Sequence, residues 1–196
     1  MNLLQLQSPI RAIRSWRLLF TRFLLLLGCL FFLSMPSALA GINDDRFEGN
    51  VFVLYGGNAS LVPARTTLEK ALAQDDKATL LVFYLDDCSD CKQYAPTVSR
   101  LQAYYGRATN IIPVNADAIP SKSSYAPTEA GYYYKGVVPQ VVVFDQAGKV
   151  VLNQKGQVPY ERVDDSLREV FNLLPRSEST ELKRRAFNEF SSELAK

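Results

Sequence analysis

Two cysteines three positions apart, Cys88 and Cys91, are the side chains in this sequence best suited to chemistry. They lie in Leu80-Leu-Val-Phe-Tyr-Leu-Asp-Asp-Cys-Ser-Asp-Cys-Lys-Gln-Tyr-Ala-Pro96. The apolar run Leu80 to Leu85 reads as a strand buried on both faces, followed by a polar corner and the start of a helix. Two intervening residues put the second sulfur one helical turn behind the first, within disulfide reach. The first sulfur then falls at the helix N-terminus, where free N–H groups and the dipole stabilise a thiolate. The matching chemistry is thiol–disulfide exchange, in which a thiolate attacks a disulfide sulfur through a mixed intermediate. A purely structural bridge is the competing reading, although so short a loop removes little entropy from the unfolded chain. The sequence contains no histidine, which excludes a histidine-assisted cysteine hydrolase and leaves a zinc site two ligands short. No cofactor or metal is expected.

The chain of 196 residues suits one domain plus a targeting segment. Residues 1–40 carry Arg11, Arg14, Arg17 and Arg22 without any acid, then the apolar run Phe23 to Leu33, then Ser37-Ala38-Leu39-Ala40 before Gly41. That is the anatomy of a secretory signal peptide with an Ala-x-Ala cleavage site. An uncleaved N-terminal membrane anchor, or a lipidated Cys29 after Leu26-Leu27-Gly28, are the alternatives. Cleavage after Ala40 would remove Cys29 and leave one cysteine pair. All 20 acidic residues lie beyond residue 40 and four of the 22 basic ones before it, so residues 41–196 are slightly acidic. Nucleic-acid binding is therefore not expected. An exported chain with a Cys-x-x-Cys pair points to redox chemistry outside the cytosol.

Residues 41–65 read as an N-terminal extension: a polar, loose Gly41 to Asn50, a first strand Val51 to Tyr55, and a Gly56-Gly57-Asn58 turn. Thr66 or Thr67 caps a short helix that buries Leu68, Ala71 and Leu72. Beyond Pro96, Val98, Leu101 and Tyr105 continue one apolar helical face up to Gly106, and Ile111 to Asn115 is the next strand. Residues 116–135 form a long polar insertion containing Tyr132-Tyr133-Tyr134, whose rings either pack on the sheet or face a partner. Val137 to Phe144 and Lys149 to Asn153 make a hairpin about the Asp145-Gln146-Ala147-Gly148-Lys149 turn. Val163, Leu167, Val170, Phe171 and Leu174 place an apolar stripe on a helix stopped by Pro175, and residues 175–196 add a C-terminal helix.

Cys91-Lys92-Gln93-Tyr94-Ala95-Pro96 resembles the active-site helix of thioredoxins, and Gly136-Val137-Val138-Pro139-Gln140-Val141-Val142-Val143-Phe144-Asp145 resembles the thioredoxin strand that opens with a cis-proline. The resemblance covers residues 66–174. It implies an α/β, three-layer thioredoxin-like fold: a mixed central sheet flanked by helices, with the insertion before the cis-proline strand. It further implies that Cys88 is the exposed nucleophile and Cys91 the buried resolving thiol. Val138 and a cis Pro139 would bind the substrate chain. Three positions depart from the thioredoxin pattern. Asp87 replaces the aromatic residue before the first cysteine, Ser89-Asp90 replaces Gly-Pro, and Val82 stands where a buried acid serves as proton relay. Asp86, Asp87 and Asp90 would raise the thiol pKa by like-charge repulsion, which disfavours a strong oxidase.

Asn43-Asp44-Asp45-Arg46-Phe47-Glu48-Gly49-Asn50, residues 124–136 and Leu174-Pro175-Arg176-Ser177-Glu178-Ser179 also resemble the cyanobacterial thioredoxin-like proteins described as thylakoid membrane photosystem I accumulation factors. That resemblance implies thylakoid association on the lumenal side, with periplasm as the alternative, and a role in photosystem I accumulation. Two mechanisms fit: disulfide exchange with protein thiols, or an assembly chaperone that holds a photosystem subunit or assembly factor.

Overall fold

A computed structural model describes residues 7–33 and 41–179. Residues up to 40 and residues from 41 onward are separate compact units. The described residues of the first form one helix, α1 (Gln7–Leu33), which carries all four arginines of the leader and no acid. Among the described residues, no helix is long and apolar enough to cross a membrane. The expected C-terminal helix falls mostly on residues outside the described ones. Its described beginning, 175–179, is a turn in which Glu178 N–H donates to the Pro175 carbonyl.

The second unit is built on four strands in the order β2-β1-β3-β4. β1 (Ala78–Tyr84) pairs parallel with β2 (Thr109–Asn115) and antiparallel with β3 (Gln140–Phe144), which pairs antiparallel with β4 (Val150–Lys155). Every residue of β1 and β3 is buried, as a strand covered on both faces requires. Pro113 is tolerated in β2 because that strand is at the sheet edge.

Helices α2 (Val51–Leu54), α4 (Ser89–Tyr105) and α5 (Tyr160–Val170) cover one face of the sheet. There Val51, Phe52, Val98, Leu101, Val163 and Leu167 pack on Leu80, Val82, Val141 and Val143. On the opposite face Leu68 and Ala71 of α3 (Leu68–Leu72), together with the insertion, cover Leu81, Phe83, Val142 and Phe144. Thr67 caps α3 by accepting from Lys70 N–H.

Three expectations are corrected. Val51 to Tyr55 is a helix rather than a first strand. The Asn50 side chain caps it by accepting from Phe52 N–H, and Phe52 packs edge-to-face on Tyr84 at 4.8 Å. Gly56 lets this turn lie against α4, since a Cβ there would sit 2.7 Å from Phe52 O and from Ser99 Oγ. Packing against α4 overrides the β preference of the valines. Second, Gly41 to Asn50 is not loose but bound across α4, as described below. Third, α5 stops before Pro175: Phe171 caps it, Asn172 adopts a left-handed φ of 51°, and Leu174 is 61% exposed instead of extending the stripe.

Tyr133 and Tyr134 are structural, Tyr133 packing edge-to-face on Phe144 at 4.9 Å and Tyr134 tilted over Phe83 at 5.2 Å, and of the three tyrosines only Tyr132 stays more than half exposed. Buried Asp164 accepts from Arg168 at 2.9 Å and from the Tyr105 hydroxyl, joining α5 to α4. Asp164→Ala would leave the Arg168 charge and the Tyr105 hydroxyl without their carboxylate. A loss of about 3 kcal/mol in unfolding free energy is expected by urea denaturation.

Candidate active site

β1 delivers its C-terminal end to the corner Leu85–Asp87, and α4 begins at Ser89. Cys88 is the N-cap of α4, with its Sγ accepting from Cys91 N–H at 3.1 Å. Cys88 and Cys91 form a disulfide with Cα atoms 5.1 Å apart. Cys88 is part-exposed, whereas Cys91 is 2% exposed and sits in the core beside α4's other apolar residues. One cysteine is thus partly exposed and the other is buried.

The Val138–Pro139 peptide is cis. The antiparallel register sets Gln140 opposite Phe83, so Pro139, one residue earlier, lies at the same sheet end as the cysteine corner. A loop ties the two together. Gly156 N–H donates to the Pro139 carbonyl at 2.7 Å, and the adjacent Gln157 amide donates to Asp90 at 2.9 Å and to Gln93 at 3.1 Å. Gly156 makes this turn at a φ of 81°. Val138 packs against both faces' apolar clusters.

The three carboxylates singled out in the sequence have different surroundings. Asp86 turns inward, accepting from Asn50 at 3.0 Å, Val51 N–H at 3.1 Å and Asn115 at 3.3 Å. Burial, with help from the Asp87 charge, pushes its pKa up despite those donors. Asp87 is exposed, and Asp90 is engaged by Gln157.

A fourth carboxylate was not legible in the motif. Asp45 accepts from Ser89 N–H at 2.7 Å, the first amide of α4 and the neighbour of Cys88. That hydrogen bond holds its pKa below the ordinary value of 3.8. Asp45 sits there because of Lys92, whose side chain is wholly buried. The Lys92 ammonium donates to Gly41 O at 3.1 Å, Asp44 O at 2.9 Å and Asp44 Oδ1 at 3.1 Å, with Glu48 at 4.0 Å and the Tyr55 ring at 5.4 Å. Burial draws the Lys92 pKa down, but the Asp44 hydrogen bond and the Glu48 charge outweigh it. The lysine beside Cys91 is therefore the anchor of an N-terminal strap, residues 41–50. The only sequence signal was an acid-rich run able to satisfy a cation.

No group of three or more His, Cys, Asp or Glu capable of holding a metal occurs among the described residues. The arrangement can exchange disulfides: a reachable sulfur at a helix N-terminus, a shielded partner, and a cis-proline loop at the same edge.

Two outcomes follow. Asp45→Asn removes a negative charge from the α4 N-terminus, so alkylation of reduced Cys88 at pH 7 should quicken roughly two- to fivefold. Arg46 first, then Lys92, lower the Asp44 pKa from 3.8 to about 2. A depressed carboxylate stabilises above its unfolded pKa and ceases to do so as pH falls through the folded value. The strap should stay protected above pH 4 and open between about pH 4 and 2, read as amide exchange at residues 41–50.

A family model for thioredoxin-like domains matches residues 64–171. The thylakoid membrane protein slr1796 of Synechocystis sp. is 52% identical over 158 residues, covering 81% of this chain and 78% of that protein. A thiol:disulfide interchange protein TxlA homolog from the same organism is 26% identical over 106 residues, covering 54% of this chain and 53% of that one. Among solved structures, a mutant thioredoxin from Halobacterium salinarum is 22% identical, covering 55% of this chain and 86% of that one, with a TM-score of 0.42. The matched family model spans the sheet, the cysteine corner and the cis-proline loop, and the chain belongs to the thioredoxin-like family.

Proposed function

We propose that the protein is an exported, thylakoid-associated thiol–disulfide exchange protein that supports accumulation of photosystem I. The observation that carries the redox reading is the asymmetric pair: part-exposed Cys88 capping α4 and buried Cys91 one turn behind it. The relative named as a thylakoid membrane protein supports the location, and the resemblance of residues 43–50, 124–136 and 174–179 to photosystem I accumulation factors supports the photosystem role.

In the reducing direction, the Cys88 thiolate attacks one sulfur of a substrate disulfide. A Cys88–substrate disulfide forms and the other substrate sulfur leaves as a thiolate, which takes a proton from water. The Cys91 thiolate then attacks Cys88 Sγ, releasing the second substrate thiol. The substrate gains two electrons and the protein is left as the Cys88–Cys91 disulfide. A dithiol donor must restore the pair for a second turnover. Val138 and Pro139 supply the backbone edge for the substrate chain, and Asp87 and Asp90 hold down thiolate stability at Cys88, whereas Asp86 turns inward onto Asn50 and Asn115. Residues 1–40 direct export, with the domain on the lumenal side.

The test is redox titration of Cys88–Cys91 in glutathione buffers together with complementation. A reversible midpoint between roughly −270 and −180 mV is expected, and Cys91→Ser should trap mixed disulfides with substrate proteins. Cys88→Ser should abolish photosystem I accumulation. Full function of Cys88→Ser would instead identify a chaperone whose cysteines are idle.

A further inference from the structure

Gly41 is gripped at both of its backbone groups. Its N–H donates to Glu48 Oε1 at 3.0 Å, and its carbonyl accepts from Lys92 Nζ at 3.1 Å. A Cβ at this position would overlap the Asp44 carboxylate, so a side chain here would have to displace that carboxylate from Lys92 and Arg46. Asp44, Arg46 and Glu48 of the strap, Tyr55 at the end of α2 and Lys92 of α4 surround it.

The charges in this socket are uneven. Lys92 and Arg46 both make their close ion pairs with Asp44, at 3.1 and 2.7 Å. Glu48 has the Tyr55 hydroxyl, the Gly41 N–H and a lysine no nearer than 4.0 Å. The Tyr55 hydroxyl sits on Glu48 Oε2, and the atom seated on Oε1 is the Gly41 nitrogen. An amide there offers one hydrogen and no charge, whereas an ammonium would place a second cation on Glu48, closer than Lys92 at 4.0 Å. Independently, Ser37-Ala38-Leu39-Ala40 places an Ala-x-Ala cleavage signal immediately before this residue, and the compact units divide between 40 and 41.

We propose that Gly41 is the first residue of the working protein and that its α-ammonium is the counter-ion of Glu48, locking the strap across α4. A peptidase of the signal-peptidase class hydrolyses the peptide bond before Gly41: water gives its hydroxyl to the carbonyl carbon and a proton to the nitrogen, and the proton of the new carboxylic acid passes to the amine, leaving a carboxylate on Ala40 and an ammonium on Gly41. Removal of the leader then reinforces the cysteine corner, because the strap that Lys92 already anchors is what holds Asp45 against Ser89. The inference stands whether or not Cys88 exchanges disulfides.

The test begins with the full chain expressed behind its own leader, exported and recovered for intact mass and N-terminal sequencing. Gly41 should be the first residue; a retained leader or another first residue overturns the proposal. Thermal unfolding of that product is then followed from pH 6 to 9.5, beside Glu48→Gln and beside product acetylated selectively at its α-amine after folding. An α-amine ordinarily titrates near 7.7–8.0, and the Glu48 carboxylate raises it. Its contribution is therefore complete below the ordinary value and lost as pH rises through the raised one. The unmodified product should lose roughly 2–4 °C across that step. Glu48→Gln and the acetylated protein should start lower at pH 6 and show no step. Equal midpoints and equal pH profiles for unmodified and acetylated protein overturn the proposal, a comparison that holds even where Glu48→Gln fails to fold.

Discussion

The constraint on which the cysteine corner depends is the burial of the Lys92 ammonium. A cation removed from water needs several oxygens around it, and the α4 helix alone offers none. The strap supplies them, two from backbone carbonyls and one from Asp44. Satisfying Lys92 therefore fixes where residues 41–48 run. That in turn sets Asp45 on Ser89 and Glu48 on Tyr55, and it leads the chain into Asn50, which caps α2 and also reaches Tyr84 and Asp86. A buried ion pair of this kind adds little net stability against an apolar replacement. Its effect here is positional: one ammonium determines how the strap is set against the active-site helix.

At Cys88 two electrostatic influences oppose each other. The free amides and dipole of α4 favour an anion at the N-cap, and the Cys91 N–H already points at the Cys88 sulfur. Asp45 occupies the neighbouring amide of Ser89 and brings a negative charge to the same helix end. Asp90 adds another within the first turn, while Asp86 is turned away toward Asn50 and Asn115. The charges next to the thiolate are thus Asp45 and Asp90 rather than the motif's leading aspartate. Both disfavour a thiolate at Cys88 relative to a bare helix terminus.

What could be read from the sequence was whatever local pattern controls. The all-apolar run of β1, the Cys-x-x-Cys corner, the helix through Pro96, and the hairpin with Asp145 accepting from Ala147 and Lys149 all follow from neighbours a few residues apart. The strap and α2 did not follow. Lys92 finds its partners 48 and 51 residues upstream, and nothing in a polar run announces that it will be pinned. Val51 to Tyr55 is too short for its periodicity to separate strand from helix, so the Asn50 cap and the Phe52–Tyr84 contact decide. The C-terminal end of α5 was misplaced for a similar reason, since Asn172 can take the left-handed conformation that ends a helix before any proline is needed.

The insertion has a structural cause that also bears on the site. α3 spans only Leu68–Leu72, too short to cover Leu81, Phe83, Val142 and Phe144 by itself. Tyr133 and Tyr134 complete that layer with two rings, their backbone continuing directly toward Pro139. Buried Gln140 ties this together: its amide donates to the Tyr133 carbonyl and to Asn153, and its carbonyl accepts from Lys135 N–H. The cis-proline loop is thereby held from the insertion side by Gln140 and from the cysteine side by Gly156 and Gln157. A loop braced at both ends presents a fixed backbone edge at low entropic cost to an incoming chain. The extra residues therefore serve the same edge that the cysteines occupy.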